Sequence, residues 1–191
     1  MHLARILFSA EPDQSIQVWD ALISETKRVS TGVATLVFRD CNIREITPLA
    51  ELKSLVWLYL GGTEVSNLEP LSKLTNLEAL YLNQTKVSDL TSLSTLIKLQ
   101  TLDITGTAVS DLTPLSALTN LEVLYLGSTK ASDLKPLNTL INLVWLNLSE
   151  TGVSEEQIAS AQCQLLFNIS DNYILTSAEW PPGSVTVSRA R

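Results

Sequence analysis

The chain has 191 residues, 45% of them apolar, which is enough to bury a substantial core as one unit. Its 20 acidic and 13 basic residues give a formal net charge of −7. This acidic balance argues against nucleic acid and against an anionic membrane surface as partners, because both attract basic protein surfaces.

The segment before the periodic part of the chain, residues 1–32, is predicted to be an N-terminal helical cap. Four apolar residues follow the spacing of an amphipathic helix over residues 13 to 28: Ile16, Trp19, Leu22 and Ile23. Asp13 stands where the N-cap of this helix would be. The first ten residues hold no apolar run long enough for a secretory signal, so the expected location is the cytoplasm, with non-classical secretion as the alternative.

The middle of the chain repeats with a period of 22 residues, which predicts a solenoid of six coils over residues 33–164. Position 1 of the coil is valine once and leucine five times: Val33, Leu55, Leu77, Leu99, Leu121 and Leu143. Positions 4 and 6 are apolar and alternate with positions 3 and 5, as in a short strand with one buried face. Positions 11, 14, 17 and 20 add further inward aliphatic side chains. One coil cannot bury them alone, so the coils must stack.

Two columns of polar residues recur along the coils. The hydroxyl at position 9 is expected to bond the backbone where the chain bends after each strand. The threonines there are Thr63, Thr85, Thr107, Thr129 and Thr151. Position 13 is expected to cap a short helix or 3₁₀ turn, with a proline near its start in four coils. The residues at position 13 are Glu45, Asn67, Asp89, Asp111, Asp133 and Glu155.

The periodicity weakens towards the C-terminus, and residues 165–191 are predicted to form a partial repeat and a cap. Ser154 to Gln157 match a capping box, which predicts a helix over residues 155 to 163. The apolar alternation at residues 165 to 169 predicts a one-residue slip of the next strand. A turn over residues 180 to 183 and an edge strand over residues 184 to 188 complete the predicted cap.

Two stretches carry the resemblance to a known family: Asp111-Leu112-Thr113-Pro114-Leu115 and Asp133-Leu134-Lys135-Pro136-Leu137. The chain resembles the bacterial leucine-rich repeats of the 22-residue internalin type, whose pattern is L-x-x-L-x-L-x-x-N-x-I-x-D-I-x-P-L-x-x-L. The resemblance covers about residues 33 to 165, with threonine replacing the family's asparagine at position 9. It implies an α/β fold: a right-handed leucine-rich repeat solenoid with a curved parallel sheet on its concave face. Short helices or 3₁₀ turns would lie on the convex face, with caps at both ends.

The residues needed for chemistry are few. His2 is the only histidine, which leaves none for Ser-His-Asp or Cys-His arrangements or for a histidine-bearing zinc site near the coils. Cys41 and Cys163 fall in the first and sixth coils, too far apart to form a disulfide within one chain, which favours a reducing compartment. We therefore expect no enzymatic activity, no cofactor and no metal site.

Strand positions 3 and 5 point away from the core and are expected to form the concave face. The partner-binding residues predicted there are Trp57, Tyr59, Tyr81, Asp103, Tyr125 and Trp145. Tyrosine and tryptophan dominate interface hot spots, and folding does not require them at these positions. Carboxylates on or beside this face are Asp40, Glu78, Asp103, Glu122 and Glu150, against one facing cation, Arg39. The alternative is a structural role, since Tyr59 and Tyr81 would stack across neighbouring strands.

The sequence thus predicts a monomeric, non-enzymatic module that binds a protein or peptide with a basic and apolar surface. One alternative is the regulatory or targeting arm of a catalytic system, including a secreted bacterial effector. Another is self-association through the aromatic face or a terminal edge strand.

Overall fold

The computed structural model describes residues 15–20, 25–30, 32–38, 42–154, 157, 173–174 and 188–189. A parallel sheet of six short strands runs through the repeats in sequence order. Its strands are β3 (Thr35–Val37), β4 (Trp57–Tyr59), β5 (Ala79–Tyr81), β6 (Thr101–Asp103), β7 (Val123–Tyr125) and β8 (Trp145–Asn147). Each strand residue pairs with the residue 22 positions later, as Leu36 does with Leu58. This confirms the solenoid and places strands at positions 3 to 5 of the coil.

The return half of each coil contains a 3₁₀ helix. The five helices are η1 (Thr47–Glu51), η2 (Glu69–Lys73), η3 (Thr91–Leu93), η4 (Thr113–Ala117) and η5 (Lys135–Thr139). Proline stands in the first two residues of every one except η3, which is also the shortest. The side chains of Asn67, Asp89, Asp111 and Asp133 accept the backbone N–H two residues later, at 2.8–3.0 Å. In these four coils the position-13 side chain therefore bonds the first N–H of the 3₁₀ helix, as predicted, but from the residue before the N-cap leucine.

The core is a column of stacked aliphatic side chains between the sheet and the 3₁₀ helices. Leu58, Leu80, Leu102 and Leu124, at position 4 of successive coils, have no exposed surface. Burial of one leucine side chain contributes about 1.5–3 kcal/mol. Each coil is therefore held mainly by the leucines of its neighbours, and the 22-residue spacing is what aligns them.

The threonine column closes the bend that follows each strand. In five successive coils the position-9 hydroxyl donates to the carbonyl three residues earlier at 2.7–2.8 Å, as in Thr107 to Ile104. These carbonyls lie beside the core, where an unsatisfied acceptor would be costly. The predicted role of threonine at this position is confirmed.

The residue just before this threonine adopts a left-handed backbone conformation in every coil from the second to the sixth. Glycine occupies it twice, at Gly62 and Gly106, with φ near 70°. Gln84, Ser128 and Glu150 hold φ values of 54–57°. This column was not predicted, because only two of its five members are glycine.

The N-terminal segment differs from the prediction. Ser15–Asp20 (β1) and Glu25–Ser30 (β2) pair as antiparallel strands, with Ser15 opposite Ser30 and Asp20 opposite Glu25. The helix predicted over residues 13 to 28 is therefore wrong. Residues 15 to 18 alternate polar and apolar, and the β-branched residues among them favour a strand. The three-residue spacing of Ile16 and Trp19 fits a helix as well, which is why the sequence alone favoured the wrong element. Since β1 lies beside η1, a role in covering the first coil stays a prediction.

Towards the C-terminus the capping box is confirmed. The N–H of Ser154 donates to Gln157 Oε1 at 2.8 Å, and the N–H of Gln157 donates to Ser154 Oγ at 3.2 Å. The remainder of the helix predicted over 155 to 163, the predicted slip and the predicted turn lie outside the described residues, as do both cysteines. Tyr173–Ile174 (β9) and Ser188–Arg189 (β10) form an antiparallel pair, which meets the predicted edge strand only at Ser188.

Candidate functional site

The outer side of the six-stranded sheet carries two aligned columns of side chains, which we call the strand face. The position-3 column is Thr35, Trp57, Ala79, Thr101, Val123 and Trp145, and the position-5 column is Val37, Tyr59, Tyr81, Asp103, Tyr125 and Asn147. Side chains alternate in direction along a strand, so these two columns point away from the buried position-4 leucines. All six predicted partner-binding residues therefore lie on one surface.

The position-3 column has tryptophan at two of its places and small residues between them. Trp57 is 46% exposed, the most open of the predicted site residues, and Trp145 is half-buried. Ala79, Thr101 and Val123 occupy the three strands between the two indoles. The strand face is therefore lower in its middle than at its tryptophans.

The position-5 column contains the tyrosines. The rings of Tyr59 and Tyr81 are stacked, with centroids 4.4 Å apart and an interplanar angle of 5°. Tyr125 contacts Trp145 at 6.4 Å with the rings tilted by 53°. Burial, and after it the proximity of Tyr59, raises the pKa of Tyr81 above its ordinary value. The aromatics thus form two pairs, one on each side of Asp103.

Asp103 carries a negative charge and also makes a hydrogen bond to the backbone. Its Oδ1 accepts the backbone N–H of Thr105 at 2.9 Å, which holds the chain as it leaves β6. Asn147 makes the same contact to Ser149 two coils later, at 3.2 Å. The neutral amide therefore meets the backbone requirement, and the negative charge at residue 103 is not needed for the fold.

A polar groove of about 350 Å³ runs along one border of the strand face, and the sequence did not predict it. It is lined by Glu78, Lys98, Gln100, Asn120, Glu122 and Asn142. Glu78 and Glu122 are two of the carboxylates expected beside the face, whereas Asp40 and Arg39 lie outside the described residues. The Nζ of Lys98 donates a hydrogen bond to Asn76 Oδ1 at 2.8 Å. This cation was not among the charged residues predicted beside the face.

The same border is held by an asparagine ladder at position 22. The side-chain amides of Asn76, Asn120 and Asn142 donate to the carbonyl 23 residues earlier, in the preceding coil, at 2.8–3.0 Å. The recurrence of asparagine immediately before the position-1 leucine is the signal that would have revealed it. These asparagines are therefore structural groups in the groove.

Neither a metal centre nor a membrane span is visible in the part of the chain that the structure describes. No three His, Cys, Asp or Glu side chains there converge as ligands of a metal ion. No described helix has the length and apolar character needed to cross a bilayer. The strand face presents aromatic rings and the carboxylate of Asp103, with Glu78 and Glu122 at its border, which suits recognition of another molecule.

The family model described as leucine-rich repeats (2 copies) matches the chain twice, at residues 53–95 and 97–139. An internalin, InlF, of Listeria monocytogenes superposes with a TM-score of 0.66 at 29% identity, over 75% of this chain and 43% of InlF. Internalin C2 of the same species gives a TM-score of 0.57 at 26% identity, over 75% of this chain and 83% of its own.

A leucine-rich repeat protein of Leptospira interrogans superposes with a TM-score of 0.62 at 23% identity, over 70% of this chain and 35% of that protein, a likeness of fold alone. The chain thus spans less than half the length of InlF and of the Leptospira protein. No curated protein matches the chain significantly in sequence.

Proposed function

We propose that the chain, which carries leucine-rich repeats and is similar to internalins, is a non-enzymatic module that binds a protein or peptide partner on the strand face. Leucine-rich repeat proteins in general mediate protein–protein interaction. The proposal made here is that the strand face is the binding surface, and its two columns of aromatic side chains are the observation that supports it.

The aromatic side chains of the strand face are not needed to fill the core. The leucine column is buried without them, and Trp57 leaves 46% of its surface exposed. Four further rings, those of Tyr59, Tyr81, Tyr125 and Trp145, are only half-buried. Large rings held rigidly on a sheet lose little conformational entropy on binding, which is why tyrosine and tryptophan are enriched in interface hot spots.

The charge of the strand face indicates the character of the partner. In the second to sixth coils, positions 2, 3, 5 and 7 contain no lysine or arginine. The same positions contain three carboxylates: Glu78, Asp103 and Glu122. Electrostatic complementarity therefore favours a partner with basic and apolar groups and disfavours nucleic acid and anionic membranes. In this proposal the chain binds its partner as a monomer.

A matched pair of substitutions tests the proposal. Trp57→Glu places a charge on the strand face, and Ile97→Glu makes the same kind of change at a residue that is 57% exposed and lies outside the two columns. Proteins captured from a lysate should be retained by wild type and by Ile97→Glu but lost by Trp57→Glu. Both variants should melt within about 2 °C of wild type, since exposed substitutions change stability by about 0.5 kcal/mol at most.

Hydrogen exchange with a captured partner then locates the contact. We expect protection at strands β4 to β8 and none at the 3₁₀ helices. Protection confined to the helices, or equal capture by Trp57→Glu and wild type, would show that the strand face is not the binding surface. Unfolding of Trp57→Glu would instead assign the rings a structural role.

A further inference from the structure

We propose that the strand face contains an arginine slot, in which a guanidinium group of the partner lies between the rings of Tyr81 and Tyr125 above the carboxylate of Asp103. This inference rests on the proposed binding function and names the group that the face recognises. We call Tyr81, Asp103 and Tyr125 the slot residues.

The register of the sheet creates the space. Tyr81, Asp103 and Tyr125 are directly aligned on β5, β6 and β7. Neighbouring strands lie about 4.8 Å apart, so the two tyrosines start about 9.6 Å apart. Aspartate is shorter than tyrosine by a whole ring, and it leaves the gap above it unfilled. A planar group between two rings needs two contacts of about 3.5–4 Å, which this gap accommodates.

The orientation of Tyr81 suits a stacking partner. Tyr59 covers one face of the Tyr81 ring in a nearly parallel stack along the column. The opposite face of that ring is therefore turned towards the Asp103 side. Tyr125 pairs with Trp145 on the strand beyond it, so Asp103 lies between the two aromatic pairs. The two aromatic pairs act as the walls of the slot.

The floor and the approach to the slot suit a long side chain with a charged end. Ala79, Thr101 and Val123 are the position-3 residues of the same three strands, and they are small enough to let an aliphatic stem pass over them. Asp103 uses Oδ1 for the Thr105 N–H, and a carboxylate has further acceptor sites on its second oxygen. On the groove side, Glu78 and Glu122, at position 2 of the coils of β5 and β7, outnumber the one cation there, Lys98.

Arginine fits this arrangement better than lysine. The guanidinium is planar and weakly hydrated, so it stacks on two rings and still donates to a carboxylate in its plane. The ammonium of lysine is compact and strongly hydrated, and it gains less than a guanidinium from contact with a ring. The combination of two rings that flank one carboxylate therefore favours arginine by shape as well as by charge.

Three short peptides test the slot on the whole chain. The probes are acetyl-Gly-Ser-X-Ser-Gly-amide with arginine, lysine or citrulline at X, titrated while the ring resonances of Tyr81 and Tyr125 are followed by NMR. The arginine peptide should shift both rings saturably. We expect at least threefold weaker binding for lysine and at least tenfold weaker binding for citrulline, which has the shape of arginine without its charge. Equal affinity for all three peptides, or shifts at neither ring, would overturn the slot.

Asp103→Asn is the decisive variant, because Asn147 shows that an asparagine at position 5 keeps the backbone contact. It should weaken the arginine peptide at least tenfold. Asp89→Asn is the matched control, since Asp89 makes the same contact to a backbone N–H on the 3₁₀ side and is exposed. It should leave the affinity unchanged. Tyr125→Leu removes one wall without altering the carboxylate, and it should also weaken the arginine peptide. This second variant keeps the slot testable if Asp103→Asn fails to fold.

The slot and the proposed function fail differently. A partner that is lost by Trp57→Glu but retained in full by Asp103→Asn and Tyr125→Leu refutes the slot and leaves the binding function standing. A partner retained by all three variants refutes both.

Discussion

The ring of Tyr59 lies parallel to the ring of Tyr81, 4.4 Å from centroid to centroid, at directly paired positions of β4 and β5. Cross-strand aromatic pairs stabilise sheets, and they also present flat apolar surface to a ligand. Both roles are compatible on the strand face, so the contribution of the stack to stability must be measured apart from binding.

A double-mutant cycle of Tyr59→Leu and Tyr81→Leu should give a coupling free energy of about 0.5–1.5 kcal/mol, because each change removes one half of the stack. Chemical unfolding of the four proteins measures it. The pair Tyr59→Leu and Tyr125→Leu is the control and should be additive, since two strands, β5 and β6, lie between its members. A coupling below about 0.3 kcal/mol between Tyr59 and Tyr81 would mean that the stack contributes nothing to folding.

Thr107→Val should lower the free energy of unfolding by about 1 kcal/mol, because it removes the hydroxyl that donates to the Ile104 carbonyl at 2.7 Å in the interior. Urea unfolding monitored by circular dichroism would detect the loss. Thr101→Val makes the same change on the strand face and should stay within about 0.5 kcal/mol of wild type. If both variants lost equal stability, the hydroxyl ladder would not be the cause.

Gln84→Gly should raise the free energy of unfolding by about 0.5–1 kcal/mol. Its φ of 57° costs an ordinary residue about 1–2 kcal/mol, and the greater chain entropy of glycine in the unfolded state offsets part of the gain. Gly106→Ala, at φ 69°, should be destabilising by about 1 kcal/mol for the same reason. Gln100→Gly, at an exposed residue without a positive φ, should lower stability. Thermal unfolding compares the stabilities of the three variants with that of wild type. A loss of stability in Gln84→Gly would show that the positive φ at residue 84 is not a source of strain.

Stability should fall as the pH drops below about 4. The hydroxyl and N–H of Thr91 donate to Asp89 and hold its carboxyl pKa below the ordinary value of 3.8, and hydrogen bonds from Thr113 do the same for Asp111. A lowered folded-state pKa adds stability above the unfolded-state pKa, and this is lost as the pH falls through the folded-state value. Carbon-13 titration of the carboxyl groups checks the two pKa values. Asp89→Asn should unfold with a weaker dependence on pH than wild type, and an unchanged dependence would exclude Asp89 as a source.

The repeats were predictable because each inference rested on the same spacing many times. The position-1 and position-4 leucines, the threonine hydroxyls and the capping residues of the 3₁₀ helices each recur at 22-residue intervals, so one misread coil could not alter the interpretation. The position of the predicted partner-binding residues on one side of the sheet followed from this register, since a strand alternates its side chains. What those residues bind does not follow from a period, and stays a proposal.

The features that could not be predicted from the sequence either occur only once in the described residues or are formed by different residue types in different coils. The β1–β2 hairpin has no second copy, and its apolar spacing fits a helix and a strand equally. The left-handed position is filled by Gly, Gln, Ser and Glu, which share a backbone conformation but no side-chain chemistry. Lys98 interrupts the asparagine ladder between Asn76 and Asn120, which hides the column at first reading.

The bonds between neighbouring coils join residues at nearly constant offsets, as in Glu122 N to Gln100 O and Asn142 Nδ2 to Thr119 O. Excision of one whole coil, residues 99 to 120, would therefore rejoin the third coil to the fifth with every donor meeting an equivalent acceptor. The shortened chain would align Tyr125 with Tyr81 and lose Asp103. Loss or duplication of a complete coil would thus change the residues of the strand face, and the proposed recognition with them, in one step. A cut that is not a whole number of coils would misalign the leucines.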